Sequence, residues 1–213
     1  MNRKENFPKK ISVFPLSNFI IFPQTTVPLN IFEPRYLQMV DNAMKSNKII
    51  GMIQSKNSDQ VIPTLYDVGC AGKITSFNEI EDGRYLIVLI GISRFKILEE
   101  LNTDKLYREC KVSFDKFSND INNEKEDIKF SDLKLIFKDL KSLFNKQEYI
   151  INWKELEKQS LDQTINTLSM VSPFSSKEKQ ILLEAVNLNE RKLKLEEILK
   201  TYISDNIGNQ TLQ

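Results

Sequence analysis

Histidine is missing altogether from the 213 residues of this chain. No Ser-His-Asp or Cys-His relay, no imidazole-ligated metal and no histidine pH switch can be built from it. Cysteine is nearly as scarce: Cys70 and Cys110 are the two present, too few for an all-thiolate zinc site or a disulfide scaffold. Each reads as a small core side chain in a reducing compartment. Long apolar runs are lacking too, since Leu86 to Ile92 falls far short of the ~20 residues of a spanning helix. The first ten residues are polar with no apolar stretch behind them, so no signal peptide is expected. Charge excess is also absent: 30 Lys and Arg stand against 29 Asp and Glu, a net charge of +1. Dedicated nucleic-acid binders show a marked basic excess, so nucleic acid is an unfavoured partner. A cytoplasmic protein with no membrane contact and no cofactor is the expectation.

Proline and glycine are unevenly missing. Six of the seven prolines precede residue 64 and five of the six glycines precede residue 92, leaving Pro173 and Gly208 alone after residue 115. Both residues punctuate turns and bulges, and their absence permits long helices. The chain therefore reads as an α+β protein, a β-rich half followed by a helical half. Ile11 to Phe14, Phe19 to Phe22 and Thr25 to Phe32 read as strands, with Pro28 confining the last to an edge or bulge. From Pro34 the period changes to helical, with Leu37, Val40 and Met44, and Tyr36, Met39 and Ala43 beside them, at helical spacing. Strands resume at Ile49 to Gln54 and Val68 to Phe77. Asp82-Gly83 predicts a tight two-residue hairpin turn. Tyr85 to Ile92 reads as a strand covered on both faces, and Gly91 as a bulge. Arg94 and Lys96 alternate with Phe95 and Ile97, and Tyr107 to Phe114 closes the set. Short strands with one inserted helix predict a strongly bent sheet or partial barrel over 10–115. Residues 116–130 read as a polar linker, and 131–205 as the helical part, with Ser131 as an N-cap, one helix over Trp153 to Val171 ended by Ser172-Pro173, and a Ser175/Glu178 capping box.

The sequence offers no positive evidence for an enzyme. Gly69-Cys70-Ala71-Gly72-Lys73 superficially resembles a phosphate loop, but Asp67 stands where that motif needs its first glycine and Ile74 where it needs a hydroxyl. A strand with close backbone approach explains it better. Glu79, Glu81, Glu99 and Glu100 lie by a turn and a strand end, where solvated charge is the default for acid pairs. Arg84-Tyr85 and Arg94-Phe95-Lys96 fit either a half-buried strand or a nucleic-acid surface.

Several stretches together resemble a known family: Phe14-Pro15-Leu16-Ser17-Asn18, Phe22-Pro23, Pro28 through Tyr36, Leu65 through Cys70, Gly91 through Ile97, then Lys179 through Glu184, Glu190-Arg191 and Leu195 through Leu199. Their order and spacing resemble the N-terminal, substrate-binding domain of the ATP-dependent Lon protease, in its short solitary bacterial form. The resemblance implies a PUA-like β pseudo-barrel with one inserted helix, then a C-terminal helical bundle. It also implies a non-catalytic module that binds unfolded or flexible protein segments and adapts them to a protease or chaperone, without ATPase or peptidase machinery of its own. An exposed apolar groove between barrel and helices, or a bare sheet edge, would take an extended peptide. The alternative carried by the PUA-like fold is RNA binding; a small-molecule pocket in the barrel is a third. Glu33, Arg35 and Tyr36 read either as a peptide-contact surface or as structure, with Glu33 capping the helix, Pro34 starting it and Arg35 pairing with an acid. Tyr66, Asp67 and Arg94 carry the same two readings. Gly69 reads as conformational.

Overall fold

The computed structural model describes residues 7–56, 60, 62–122, 134–146, 151–156 and 158–208. The chain divides into two compact units, Met1–Glu124 and Lys125–Gln213. The first holds β1 (Lys10–Pro15), β2 (Thr26–Ile31), α1 (Pro34–Met44), β3 (Ile49–Ile53), β4 (Val68–Glu79), β5 (Tyr85–Leu101), β6 (Arg108–Ser113) and α2 (Ser118–Asn122). The six strands run in the order β2-β5-β4-β3-β1-β6, and β6 returns to pair with β5. That last pairing closes a barrel and leaves β2 as a flap along the first half of β5. Pro28 lies within this edge strand, one of the few places in a sheet where a residue without an N–H is tolerated. Among the described strands only β1 and β3 run parallel.

One buried cluster fills the barrel, built from Ile11, Val13, Ile53, Leu65, Ala71, Phe95, Cys110 and Val112. Phe95 lies at its centre against two glycines. A Cβ on Gly69 would stand 2.7 Å from the Phe95 ring and 2.5 Å from the Met52 carbonyl. Gly69 is thus needed for close approach rather than for an unusual φ, which corrects the conformational reading. The phosphate-loop lookalike is simply the start of β4.

Three other expectations for this unit change. Phe19 to Phe22 forms no strand. Ile20, Ile21 and Phe22 are all buried, whereas a strand turns alternate side chains to opposite faces. The Phe22 N–H instead donates to Thr25 Oγ1 (3.0 Å), whose hydroxyl donates back to the Phe22 carbonyl (2.6 Å). Second, β5 is one 17-residue strand with an alternating start, Ile87 and Leu89 inward and Leu86 43% exposed. Third, the β4–β5 loop is longer than a two-residue turn. Glu79 pairs with Tyr85, Gly83 donates to the Ile80 carbonyl and Ile80 to that of Arg84, and Gly83 alone there takes a positive φ. This is a turn closed by a left-handed glycine. The helix α1 buries Tyr36, Met39, Val40 and Ala43, all within the expected apolar set, and leaves Leu37 and Met44 half-buried at its edge. The expected bulge does occur: Ala71 pairs with Ser93 but Gly72 with Gly91, leaving Ile92 as the extra residue.

Cys110 is fully buried. Burial first, then the Glu100 charge, pushes its thiol from 9.0 up to about 11. The folded form therefore holds this proton longer than the unfolded chain, so stability is fully present below pH 9 and declines as pH rises toward about 11. The difference in stability between Cys110→Ala and the parent should shift by on the order of 2 kcal/mol across that window, from one pKa unit being 1.36 kcal/mol. Urea midpoints at several alkaline pH values check this.

The second unit contains α3 (Lys134–Lys146), α4 (Trp153–Leu156), α5 (Leu161–Val171), α6 (Ser176–Glu184) and α7 (Leu188–Gly208). The helix α7 packs against α3, α5 and α6, burying Leu195 and Leu199 with Ile136, Leu140, Ile165 and Leu182. The helix expected over Trp153 to Val171 is broken between Leu156 and Leu161. Residues nine apart on one helix point about 180° apart, so Leu156 and Ile165, both buried, could not share a core without the break. Arg191 is buried and ties three helices, its Nε donating to the Leu182 carbonyl (3.1 Å) and Nη1 to Asn166 Oδ1 (2.6 Å). The Ser175/Glu178 capping box is present in both directions. Glu178 also accepts from the Tyr202 hydroxyl (2.9 Å). Ser175→Ala should lower stability by about 1 kcal/mol, read as a shift in melting temperature. Ser131, expected as the α3 N-cap, lies outside the described residues.

Candidate functional site

The pairing of β4 with β5 ends at its first residues, and the chain leading into β4 leaves β5 there. The Ile97 N–H donates to the Asp67 carbonyl (2.7 Å) as the last rung. Upstream of it, residues 62–66 turn to a different partner. Lys56 N donates to the Thr64 carbonyl (2.7 Å) and Tyr66 N to that of Gln54 (3.0 Å), around a Ser55–Leu65 bridge. Between this segment and the ends of β5 and β6 an open crevice of about 300 Å³ remains, lined by Ile62, Pro63, Thr64, Leu65, Tyr66, Asp67, Ile97, Glu100 and Arg108. Arg108 spans it. The Arg108 guanidinium grips both oxygens of Glu100 through Nε and Nη2, while Nη1 donates to the Pro63 carbonyl (2.7 Å). A planar fork on a carboxylate fixes orientation as well as charge, so the crevice wall is held in shape. Its apolar lining includes Ile62, which is 74% exposed.

In the same 62–67 segment, Asp67 is exposed and Tyr66 half-buried. The Lys56 ammonium stands 5.6 Å from the centre of the Tyr66 ring and 3.5 Å from Asp67 Oδ1. An aromatic face beside a carboxylate attracts a cation through both quadrupole and charge. No group of three or more His, Cys, Asp or Glu side chains able to hold a metal occurs among the described residues. No helix among them is long and apolar enough to cross a membrane.

The residues singled out from sequence fall in three places. Tyr66 and Asp67 line the crevice. Glu33, Arg35 and Tyr36 gather at the start of α1, where Arg35 donates to Glu33 through Nε (2.9 Å) and Nη2 (2.6 Å). Glu33 occupies the N-cap position, yet its side chain makes no cap hydrogen bond because Arg35 holds it. Tyr36 is a correction: it is buried, its ring 4.2 Å from that of Phe14. Burial pushes its hydroxyl pKa up, against the opposing charges of Arg35 and, less, Arg108. Arg94 is a second correction. It is 2% exposed and bound to Asp120, with its guanidinium 4.3 Å from the Phe117 ring. The cause lies in residues 115–122, where a 3-10 turn (Asp115–Phe117) and α2 cover the outer face of β5. Residues 116–122 therefore form packed structure where a polar loop was expected. Ile62 and Arg108 were not singled out, Glu100 was read as solvated charge and Ile97 as part of a strand; an isoleucine beside Pro63 was the available signal.

Comparison with known proteins decides the family. The model of the ATP-dependent protease La (LON) substrate-binding domain matches residues 10–201. The chain belongs to the Lon substrate-binding domain family. Among curated relatives, a Lon protease of Dictyoglomus thermophilum is 23% identical over 90% of this chain and 24% of its own length. Lon protease 1 of Hydrogenovibrio crunogenus is 26% identical over 92% of this chain and 24% of its own length. The chain thus spans about a quarter of the length of these relatives. Among solved structures, a Lon N-terminal domain protein from Xanthomonas campestris superposes with a TM-score of 0.61 at 20% identity, covering 90% of this chain and 97% of that one. The N-terminal domain of a Mycobacterium avium complex Lon protease gives 0.60 at 17% identity, covering 90% and 98%. At these identities the structures establish the shared α+β fold, and the family match establishes a Lon substrate-binding domain.

Proposed function

We propose that this Lon-type domain is a non-catalytic recognition module that holds unfolded or flexible protein segments for a protease or chaperone. The observation carrying this reading is the open crevice between residues 62–67 and the ends of β5 and β6. An extended chain exposes the apolar side chains and backbone groups that such a crevice takes up. Ile62, Leu65 and Ile97 offer apolar wall, Tyr66 an amphipathic ring, and the Arg108–Glu100 fork keeps the wall open. Glu33 and Arg35, both solvent-accessible at the start of α1, supply a second contact surface in this reading. The module turns over neither ATP nor peptide bonds.

Denatured model proteins titrated against the purified chain test the reading, with binding followed by fluorescence anisotropy. Binding in the micromolar range is expected, weakened several-fold by Ile62→Asp with no change in melting temperature, since that side chain is largely in water. Absence of binding to every denatured protein at high micromolar concentration overturns it.

A further inference from the structure

We infer that the crevice is selective for basic segments: it takes an extended peptide in which an apolar residue neighbours Lys or Arg. This rests on the reading of the crevice as the recognition site. Three carboxylate and guanidinium groups line it, those of Asp67, Glu100 and Arg108. Both oxygens of Glu100 are occupied by the Arg108 fork, so these two charges cancel within the wall. Asp67 is left as the charge offered to a ligand. Its side chain is 68% exposed, and Lys56 pairs with it at 3.5 Å, looser than the 2.7–2.9 Å of a charge-assisted hydrogen bond.

That lysine is itself the second observation. Lys56 places its ammonium against the Tyr66 ring and the Asp67 carboxylate together. The chain's own side chain thus acts as a stand-in for a ligand cation, showing that ring and carboxylate converge on one position. Lys56 is 41% exposed in its side chain and sits on a flexible stem, so an incoming Lys or Arg can displace it. With the cation seated there, the adjoining residue of an extended chain lies within reach of Ile62, Leu65 and Ile97. An acidic residue in the same place would meet Asp67 directly, and like charges repel. Selectivity thus comes from attraction and repulsion acting at one rim.

The test uses the full chain and short labelled peptides of equal length and apolar content, carrying Leu-Lys, Leu-Gln or Leu-Glu pairs. An exposed cation–π contact plus a surface ion pair predicts about fivefold tighter binding of the Leu-Lys peptide than the Leu-Gln peptide, with Leu-Glu weaker still. The preference should shrink as salt rises. Asp67→Lys should invert the order, and Lys56→Ala should tighten the Leu-Lys peptide about twofold by removing the competitor. Unchanged melting temperatures are expected for both, because neither side chain is buried. Equal affinity for the three peptides, or a preference that survives Asp67→Lys, overturns the selectivity. If all three bind equally and Ile62→Asp still weakens them, selectivity fails while the recognition reading stands. If neither peptides nor denatured proteins bind, the recognition reading itself has failed.

Discussion

Replacing Arg94 by alanine is expected to destabilise the barrel by about 3–5 kcal/mol, the cost of breaking a buried ion pair from one side. Asp120 would remain behind with its side chain only 10% exposed. It currently receives the Arg94 backbone N–H (2.9 Å), Nε (2.9 Å) and Nη2 (2.8 Å). The substitution also removes the cation from over the Phe117 ring, loosening the turn that leads into α2. Urea denaturation followed by circular dichroism reads the loss. Replacing both partners together with apolar residues, as in Arg94→Met with Asp120→Leu, should recover most of it, because no lone charge is then buried. A single-variant loss under about 1 kcal/mol would mean that the pair behaves like an exposed one.

The second large effect is expected at Gly91. A Cβ there would lie 2.0 Å from the carbonyl oxygen of Phe22 and 2.8 Å from its carbon. Both are backbone atoms, so no side chain can rotate away. Nor can the two segments simply part: Gly91 N donates to the Thr25 carbonyl (2.9 Å) and Gln24 N to the Gly91 carbonyl (2.8 Å). Gly91→Ala should therefore cost at least about 3 kcal/mol, the upper end of overpacking penalties. Gly83→Ala makes the contrast. Its φ is +81° but nothing lies within 4 Å of the added atom, so only left-handed strain of about 1 kcal/mol applies. Equal losses at the two positions would contradict the close-approach account of Gly91.

Local grammar made much of this architecture legible. Pro34 marked the start of α1, Ser172-Pro173 the end of α5, Ser175 with Glu178 the start of α6, and the glycine in β5 its bulge. Each of those signals acts within a few residues. The misreadings concern effects set by distant chain. Arg94 looked like one member of an alternating strand, and only residues some twenty-five positions later bury it. Phe19 to Phe22 has strand-forming residues, yet Thr25 and Gly91 satisfy its neighbourhood in an irregular form. Tyr66 and Asp67 were marked as candidates through family resemblance, whereas Arg108 and Glu100, eight residues apart on adjoining strands, carry no local mark of meeting. A crevice is a property of which strands diverge, and periodicity does not encode divergence.

The pairing of β1 with β6, Lys10 beside Lys111 and Ile11 beside Cys110, bears on how the polypeptide emerges from the ribosome. The first strand of the barrel must wait about a hundred residues for the partner that seals it. Until β6 has cleared the exit tunnel, β1 and the far end of β5 both present bare backbone, a state open to pairing with neighbouring nascent chains. Stalling translation before Arg108 should thus yield aggregation-prone fragments, whereas stalling well beyond Ser113 should yield protease-resistant ones.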